Sequence, residues 1–348
     1  MTEAVPTRRL VLNLRDPRPL WSIPPWAVEE IRAALPDGWE LVDVESPADG
    51  RGDGGAASSD EVLAAVRGAE AYAGWGVPAD VFRAAGGGLR WAHSASAGVG
   101  GALYGAMRAS DVVLTNSAGV YAEPMADTAL AMMLHFARGL DFAVRAQVAR
   151  RWERAPFITV DTPVRELAEC TVGVLGLGGI GRAVARRCAA LGMRVAASRR
   201  HAAPGPEGVE VFSGQDALDR LLAIADFLVV TVPLTEETRG MIGARELSLL
   251  PEGAVLVNVA RGEVVDEGAL VDALVSGRLR GAGLDVFATE PLPAESPLWG
   301  LPNVLVTPHV SGASHRFWRR QTNLIVANLR RHAAGESLIN EVDKRAGY

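Results

Sequence analysis

Three side chains in the second half of the chain have types and positions suited to acid–base chemistry. Arg261, Glu290 and His309 lie at or just beyond apolar runs of the kind that form buried strands. Ligands of open α/β sheets bind beyond the carboxyl ends of the strands, so we expect the three in one site. An arginine fork suits a carboxylate and its neighbouring carbonyl, histidine transfers protons near neutral pH, and a glutamate keeps the imidazole oriented and charged. Hydride transfer to a 2-oxo acid needs this combination.

Each of these residues also has an ordinary structural explanation. A histidine at a strand end is more often a hydrogen-bonded structural residue, and an arginine after a strand is usually solvated or salt-bridged. The Glu-Pro-Leu-Pro sequence at 290–293 is compatible with a simple turn. The joint arrangement of the three residues, rather than any one of them, favours catalysis.

A glycine-rich turn lies upstream, in GLGGIG at residues 176–181. A buried strand is expected before it and an amphipathic helix after it, which is the setting of a dinucleotide-binding loop. Gly176 would permit the tight turn, Gly178 would let the backbone approach a pyrophosphate, and Gly181 would let helix and strand pack closely. N–H groups at the helix start would face the anion. The alternative is a purely structural turn.

The end of the next expected strand, RVAASRR at 194–200, bears on which cofactor binds. An acidic side chain about 20 residues into this unit normally holds the adenosine ribose. Here Ser198, Arg199 and Arg200 take that place. Arginines can pair with a 2′-phosphate and a serine can hydrogen-bond it, which favours NADP over NAD. The alternative is two solvated arginines.

Alternating strand-like and helix-like segments predict an α/β protein of two doubly wound parallel-sheet domains. In the first third, strands are expected at 8–14, 39–45, 69–75, 89–96 and 112–117, and helices near 25–35, 60–67 and 78–85. In the middle, near-continuous apolar runs predict strands buried on both faces. They lie at 171–176, 194–198, 227–233, 254–260, 281–287 and 304–309. A last helix at about 315–334 could cross back to the first domain.

A long helical stretch is expected at about 121–152. Ala129, Met133, Phe136 and Leu140 recur there at helical spacing and predict one apolar face. Such a helix could bridge two domains, pack against a second subunit, or simply pack in the core.

The composition excludes several classes of protein. The chain has 348 residues, of which 49% are hydrophobic and 22% charged, with a formal net charge of -6. These values are typical of a globular chain of two domains and do not favour a nucleic-acid partner. No apolar run approaches roughly 18 residues, so we expect no membrane span and a cytoplasmic protein. Cys170 and Cys188 lack metal-ligand spacing, so no metal site is predicted, and reduced thiols are favoured over a lone disulfide.

The sequence resembles the D-isomer-specific 2-hydroxyacid dehydrogenase family over most of its length. The motifs that carry the resemblance are HSASAGVG (93–100), LTNSAGVYAEPMADTALAMML (114–134), GLGGIG (176–181), VPLT (232–235), NVARGEVVDEGAL (258–270), GLDVFATEPLP (283–293) and TPHVSG (307–312). The resemblance implies that Arg261 binds and polarises the substrate. It also implies that Glu290 pairs with His309, which acts as the general acid/base.

The same resemblance implies two binding sets. The substrate set is Ala97, Gly98, Val99 and Arg261. The cofactor set is Gly176, Gly178, Gly179, Ile180, Gly181, Ser198, Arg199, Arg200, Val232, Pro233, Ala260 and Asp285, the last near the nicotinamide carboxamide.

The resemblance further implies how the chain is organised. Residues 1–120 and 310–348 would form a flavodoxin-like catalytic domain. Residues 121–309 would form a Rossmann cofactor domain with its linking helix. That helix region commonly forms a dimer interface in the family, so we expect a homodimer.

Three local features qualify the comparison. Gly100 stands where many relatives carry an acid, which loosens the substrate assignment. Ala97 stands where phosphite dehydrogenases carry a lysine, which disfavours phosphite oxidation. The Ser-Arg-Arg sequence at 198–200 is similar to the glyoxylate/hydroxypyruvate reductase branch, which tends to use NADPH.

The resulting hypothesis is an enzyme, an NAD(P)H-dependent reductase of a small 2-oxo acid that forms the D-2-hydroxy acid reversibly. Glyoxylate-like or hydroxypyruvate-like substrates are favoured. Two alternatives stay open, namely a reductase of a bulkier or phosphonate-like 2-oxo acid in a biosynthetic pathway and a non-enzymatic cofactor-sensing binding protein.

Overall fold

The structure, a computed structural model, describes residues 8–48, 58–200 and 204–347. The chain divides into two compact units. Unit 1 combines Met1–Tyr121 with Ala313–Tyr348, and unit 2 is Ala122–Gly312. The chain therefore leaves unit 1 after residue 121 and re-enters it after residue 312, while the sequence placed these boundaries after 120 and 309.

Unit 1 is built on a five-stranded parallel sheet. Its strands are β1 (Arg8–Asn13), β2 (Trp39–Asp43), β3 (Ala71–Gly74), β4 (Trp91–Ser94) and β5 (Val113–Thr115). Its helices are α1 (Pro25–Ala33), α2 (Asp60–Ala65), α3 (Ala79–Ala85), α4 (Gly105–Arg108) and, from the end of the chain, α12 (Phe317–Ala334). The strand order β2-β1-β3-β4-β5 is that of a flavodoxin-like sheet.

Apolar side chains pack against both faces of this sheet, with Leu10 and Leu12 in one cluster and Val11 in another. Strands β3 and β4 are buried along their whole length. Helix α12 covers part of one face with a stripe at helical spacing, and its residues Phe317, Ile325 and Leu329 pack in one cluster with Leu10 and Trp91.

Unit 2 is built on a seven-stranded parallel sheet. Its strands are β6 (Thr171–Leu175), β7 (Arg194–Ser198), β8 (Val209–Phe212), β9 (Phe227–Val230), β10 (Ala254–Asn258), β11 (Leu279–Leu284) and β12 (Val304–Val306). Its helices are α5 (Ala122–Ala137), α6 (Leu140–Val148), α7 (Ala155–Ile158), α8 (Gly179–Ala190), α9 (Ala217–Leu222), α10 (Ala244–Leu249) and α11 (Glu267–Val275). The order β12-β11-β10-β9-β6-β7-β8 reverses between β6 and β9, the switch point of a Rossmann sheet. The predicted class, two doubly wound parallel sheets, is confirmed.

The prediction of one helical stretch over 121–152 is wrong in one respect. Helix α5 ends at Ala137, and α6 begins at Leu140 after Gly139, whose φ of +64° is left-handed. Glycine adopts this conformation without the steric cost of a Cβ, so it stops one helix and starts the next in a new direction. Met133 and Phe136 lie on the predicted buried face, whereas Leu140 is 46% exposed.

Strand β8 is the one strand of unit 2 that the apolar runs did not reveal. It lies at the edge of the sheet, pairs only with β7, and has an exposed glutamate and two half-buried valines. A short edge strand with this pattern carries little hydrophobic signal. Within the described parts of the chain, no helix is both long and apolar enough to cross a membrane. Cys170 and Cys188 are both buried free thiols.

Candidate active site

His309 and Glu290 form a hydrogen-bonded pair in unit 2. His309 Nδ1 lies 2.7 Å from Glu290 Oε2, and the other carboxyl oxygen accepts the backbone N–H of Phe287 at 3.0 Å. Burial alone would raise the pKa of the Glu290 carboxyl. The hydrogen bonds from His309 and Phe287, with the charges of His309 and Arg261, instead hold that pKa below its usual value. Glu290 is therefore ionised at neutral pH and can stabilise a protonated imidazole.

The turn that carries His309 is held by the fully buried side chain of Asp285. Asp285 Oδ1 accepts hydrogen bonds from Thr307 Oγ1 at 2.6 Å and from the N–H of Val310 at 2.9 Å, and Oδ2 accepts from the N–H of Ser311 at 2.9 Å. The N–H of His309 donates to the Asp285 carbonyl at 2.8 Å. His309 has a φ of +52°, which is costly for a residue with a Cβ. The Asp285 bonds on both sides of it hold this conformation.

Asp285 and His309 lie at different places relative to their strands than the sequence predicted. Asp285 was predicted within a strand and His309 at the end of one. Strand β11 ends at Leu284 and β12 ends at Val306, so both residues lie just beyond their strands. Because both residues lie outside the strand ladders, backbone groups of the two loops can hydrogen-bond to the other loop instead of to a neighbouring strand.

Arg261 lies just beyond β10 in a loop that Asn258 fixes. Asn258 Nδ2 donates to the Arg261 carbonyl at 2.9 Å, and its Oδ1 accepts the N–H of Ala260 at 3.0 Å. The following residue must be glycine, because a Cβ on Gly262 would lie 1.9 Å from the carbonyl carbon of Phe287. This close approach brings the arginine loop against the segment that leads to the carboxyl of the His309 pair.

The glycine turn after β6 has the three properties that a pyrophosphate site needs. Gly176 has a φ of +99°, and a Cβ on Gly181 would lie 1.9 Å from the Gly176 carbonyl oxygen. Both positions therefore require glycine for the protein's own packing. Gly178 differs, because apart from its chain neighbours no atom of the described residues lies within 4 Å of where its Cβ would be. The first N–H groups of the 12-residue helix α8 thus adjoin open space that fits an anionic group.

The three residues at the end of β7 that were predicted to determine cofactor preference have different environments. Ser198 is buried, and its carbonyl accepts the N–H of Gly176 at 3.0 Å. Arg199 is half-buried, and its Nη1 is buried with no hydrogen-bond partner among the described residues. Arg200 is exposed and forms an ion pair with Glu237.

The other predicted cofactor residues lie around the same sheet edge. They are Gly179 and Ile180 in the first turn of α8, Val232 and Pro233 in the loop after β9, and Ala260, which is buried after β10. Val232 packs at the glycine turn, where a Cβ on Gly176 would lie 2.8 Å from Val232 Cγ1.

In unit 1, the loop after β4 carries the predicted substrate residues, and the carbonyls of Ala95, Ser96 and Ala97 accept hydrogen bonds. Tyr121 Oη donates to the Ala95 carbonyl at 2.7 Å, the N–H of Ser117 donates to Ser96 at 3.1 Å, and Asn116 Nδ2 donates to Ala97 at 2.8 Å. Over the described residues, no hydrogen-bond acceptor is recorded for the N–H groups of residues 97–99. A loop held in this way presents donors, which suits a carboxylate.

A network of buried polar side chains around His93 supports the loop after β4. His93 Nδ1 lies 2.9 Å from Thr115 Oγ1, and its Nε2 lies 2.8 Å from Gln321 Nε2 and 3.3 Å from Ser117 Oγ. Burial lowers the pKa of His93 to about 3, so this ring is neutral and structural.

Three residues that support the site were not predicted from the sequence. It did not identify Thr307 as a partner of Asp285, Asn116 as a partner of the substrate loop, or Glu237 as a partner of Arg200. All three residues lie in or beside the motifs named above, but only the fold shows what they contact. In the described residues, no group of three or more His, Cys, Asp or Glu side chains is placed to hold a metal ion.

Comparison with known proteins identifies the family. The model of the "D-isomer specific 2-hydroxyacid dehydrogenase, NAD binding domain" matches residues 130–311. The chain is 40% identical over 252 residues to the glyoxylate/hydroxypyruvate reductase B of Pectobacterium carotovorum subsp. carotovorum (strain PC1), which covers 71% of this chain and 77% of that protein. The chain belongs to the D-isomer-specific 2-hydroxyacid dehydrogenase family. The resemblance found in the sequence is confirmed, and the protein is an oxidoreductase whose unit 2 contains the family's NAD-binding domain.

Solved structures of the same dehydrogenase family match almost the whole chain. A D-isomer-specific 2-hydroxyacid dehydrogenase from Xanthobacter autotrophicus Py2, in complex with NADPH and MES, is 35% identical with a TM-score of 0.81. That match covers 98% of this chain and 100% of the other. An NADPH-dependent glyoxylate/hydroxypyruvate reductase from Sinorhizobium meliloti, in complex with NADP and sulfate, is 30% identical with a TM-score of 0.77 and covers 98% of this chain and 100% of its own.

Proposed function

We propose that this dehydrogenase reduces a small 2-oxo acid to the D-2-hydroxy acid, reversibly, with glyoxylate-like and hydroxypyruvate-like substrates favoured. The observation that carries the proposal is the His309–Glu290 pair, with Nδ1 2.7 Å from Oε2, on a turn at the carboxyl edge of a dinucleotide-binding sheet. The reductase activities of the similar proteins from Pectobacterium carotovorum and Sinorhizobium meliloti support the substrate class.

In this proposal the chain's own residues handle the proton and the substrate charge. His309 gives a proton to the forming alkoxide, or takes it back in the reverse direction. Glu290 stabilises the imidazolium and fixes the ring through Nδ1, which leaves Nε2 for the substrate. Arg261 binds the carboxylate and polarises the carbonyl. The glycine turn after β6 would hold a nicotinamide cofactor, which would supply or accept the hydride at the substrate C2.

The loop after β4 contributes the remaining substrate contacts in this proposal. The N–H groups of Ala97, Gly98 and Val99 would bind the substrate carboxylate, because they have no acceptor among the described residues while Asn116 holds the Ala97 carbonyl. Val99 is buried, while Ala97 and Gly98 are half-buried. Backbone N–H donors held at fixed positions suit the carboxylate of a small acid and fix its orientation.

The cofactor proposed is NADP(H) rather than NAD(H). Positions 198–200 at the end of β7 hold no carboxylate that would bind a free ribose 2′-OH and repel a 2′-phosphate. Nη1 of Arg199, which has no partner among the described residues, is a donor that a phosphate could satisfy if the side chain moved from its buried position. The structures from Xanthobacter autotrophicus and Sinorhizobium meliloti with NADPH or NADP support the same choice.

The oligomer proposed is a homodimer. An apolar strip of exposed side chains follows the break at Gly139 and consists of Leu140, Val144, Val148, Trp152, Ile158 and Val160. Trp152 is 94% exposed and Val148 is 80% exposed. Large exposed apolar side chains concentrated in one stretch of chain are typical of a protein interface, and a second copy of the chain is the partner proposed.

A screen of 2-oxo acids with NADPH and with NADH tests activity, substrate and cofactor together. We expect the highest kcat/KM with glyoxylate or hydroxypyruvate and NADPH. His309→Ala should lose most turnover, about 100-fold or more, while cofactor binding measured by nicotinamide fluorescence is retained. Tight cofactor binding without oxidation by any 2-oxo acid would instead indicate a cofactor sensor. Equal turnover by the His309→Ala variant would remove that residue from the mechanism.

A further inference from the structure

The ion pair between Arg200 and Glu237 joins the two loops that flank the adenosine end of a Rossmann site. Arg200 follows β7 and Glu237 lies in the loop after β9, on the two sides of β6 at the switch point. We propose that Glu237 is a specificity-determining residue that limits the preference of this enzyme for NADP over NAD. This inference rests on the proposed cofactor site at the end of β7.

The position of Glu237 is fixed by the loop that carries it. Thr238, which is buried, donates from Oγ1 to the Pro233 carbonyl at 2.7 Å and accepts the N–H of Thr235 at 2.8 Å. The N–H of Thr238 lies 3.3 Å from Thr235 Oγ1. A turn closed by these bonds holds the backbone of Glu237 at a defined place beside the end of β7, within reach of Arg200.

The two arginines at the end of β7 have different environments. Arg199 has a buried Nη1 with no partner in the described parts of the chain, whereas Arg200 is engaged by Glu237. The Arg200 side chain is 44% exposed and that of Glu237 is 69% exposed. An exposed pair contributes little to stability and can be exchanged for another anion.

Electrostatics gives the expected sign of the effect. A 2′-phosphate carries roughly two negative charges. A carboxylate bonded to Arg200 competes for that guanidinium and lies within a Debye length of any phosphate bound to the arginine. NADH has no charge at this position, so Glu237 should weaken NADPH binding and leave NADH binding nearly unchanged. The carboxylate thereby keeps both cofactors usable.

Charge substitutions of Glu237 test the proposal directly. The dissociation constants of NADPH and NADH are measured by nicotinamide fluorescence and calorimetry for the wild type, Glu237→Gln and Glu237→Lys, at low and high salt. The matched control is Glu236→Gln, which removes the same charge from the adjacent exposed residue. We expect Glu237→Gln to tighten NADPH binding by about three- to tenfold at low salt, with a larger gain for Glu237→Lys. NADH binding should change by less than about twofold, and the gain should shrink at high salt.

The outcomes separate this inference from the cofactor proposal on which it rests. An unchanged NADPH to NADH affinity ratio in both Glu237 variants would overturn the inference. Weaker NADPH binding in Glu237→Gln would also overturn it, because the carboxylate would then be holding Arg200 in place for the phosphate. An equal gain in Glu236→Gln would assign the effect to net charge and overturn it as well. The double variant Arg199→Ala/Arg200→Ala decides the underlying proposal, since NADPH affinity that does not fall there removes the arginines from the site.

Discussion

Nδ1 of His309 lies 2.7 Å from Oε2 of Glu290, and Oε1 of the same carboxyl accepts the backbone N–H of Phe287. The carboxylate is therefore anchored on one side and free to orient the imidazole on the other. This relationship fixes which ring nitrogen faces the protein. The opposite nitrogen is then the one that can exchange a proton with a substrate.

Glu290→Gln should lower kcat for 2-oxo acid reduction by about 10- to 100-fold, with a smaller change in KM. The amide can still hydrogen-bond the ring, but it no longer neutralises the imidazolium. The measurement is steady-state kinetics with NADPH, together with circular dichroism to show that the variant is folded. A variant with wild-type kcat would mean that the carboxylate charge is not needed for proton transfer.

The pH dependence of the pair follows from the lowered pKa of the Glu290 carboxyl. A carboxyl whose pKa is depressed by folding stabilises the folded state above its ordinary pKa, and this contribution is lost as pH falls through the depressed value. Protonation of Glu290 should therefore not limit activity or stability between pH 7 and about pH 5. Thermal unfolding of the wild type and Glu290→Gln should therefore give a difference in Tm that is still present at about pH 5 and narrows at more acidic pH. A difference that disappears already near pH 6 would contradict the assignment.

Asp285→Asn should reduce both stability and turnover. Its two oxygens accept three hydrogen bonds from the turn that carries His309, and an amide nitrogen cannot accept the bonds that fall on it. Each buried donor left unsatisfied costs about 1–3 kcal/mol. Urea unfolding measures the stability and kcat measures the placement of the imidazole. Thr307→Val removes only one donor and is the control, so it should have a clearly smaller effect on both quantities.

Much of the fold was predictable because its signals are local. Strands buried on both faces are mostly apolar, as in β9 and β10, which are buried throughout. The glycine turn was predictable because each of its three glycines has a separate steric role and all three lie within a few residues of one another. The helix break at Gly139 was missed because a single glycine inside an apolar periodicity is also compatible with an unbroken helix.

The parts of the site that escaped prediction depend on contacts between distant positions. The bonds from Asp285 reach residues 22 to 26 positions away. The pair of Arg200 and Glu237 joins residues 37 positions apart. Asn116 and the Ala97 carbonyl lie on neighbouring strand ends of unit 1 and are 19 positions apart. Residue types and spacing in the sequence indicate which side chains carry charge or can transfer a proton. Their hydrogen-bond partners depend on which loops lie next to each other in the fold.

Trp152→Glu should convert the proposed dimer to a monomer. A large aromatic residue that becomes buried at an interface typically contributes about 2 kcal/mol or more, and a charge in its place adds a desolvation cost. Multi-angle light scattering across a concentration series measures the change. Val275→Glu, a 67% exposed residue at the end of α11 outside the apolar strip, is the control and should leave the association state unchanged. A wild type that is monomeric at all concentrations would refute the homodimer.

Two glycine substitutions three positions apart should separate folding from cofactor binding. In Gly181→Ala the new methyl would lie 1.9 Å from the Gly176 carbonyl oxygen, so α8 must move away from β6 and stability should fall by about 1–3 kcal/mol or more. Gly178→Ala meets no protein atom within 4 Å outside its chain neighbours and has an ordinary φ of -73°, so its stability should change by less than about 0.5 kcal/mol. Its methyl would occupy the space into which a pyrophosphate must come, so cofactor affinity should fall at least tenfold. Thermal unfolding without cofactor and fluorescence titration with NADPH measure the two effects. A Gly178→Ala variant that binds NADPH as the wild type does would show that the open space at this turn is not where the pyrophosphate lies.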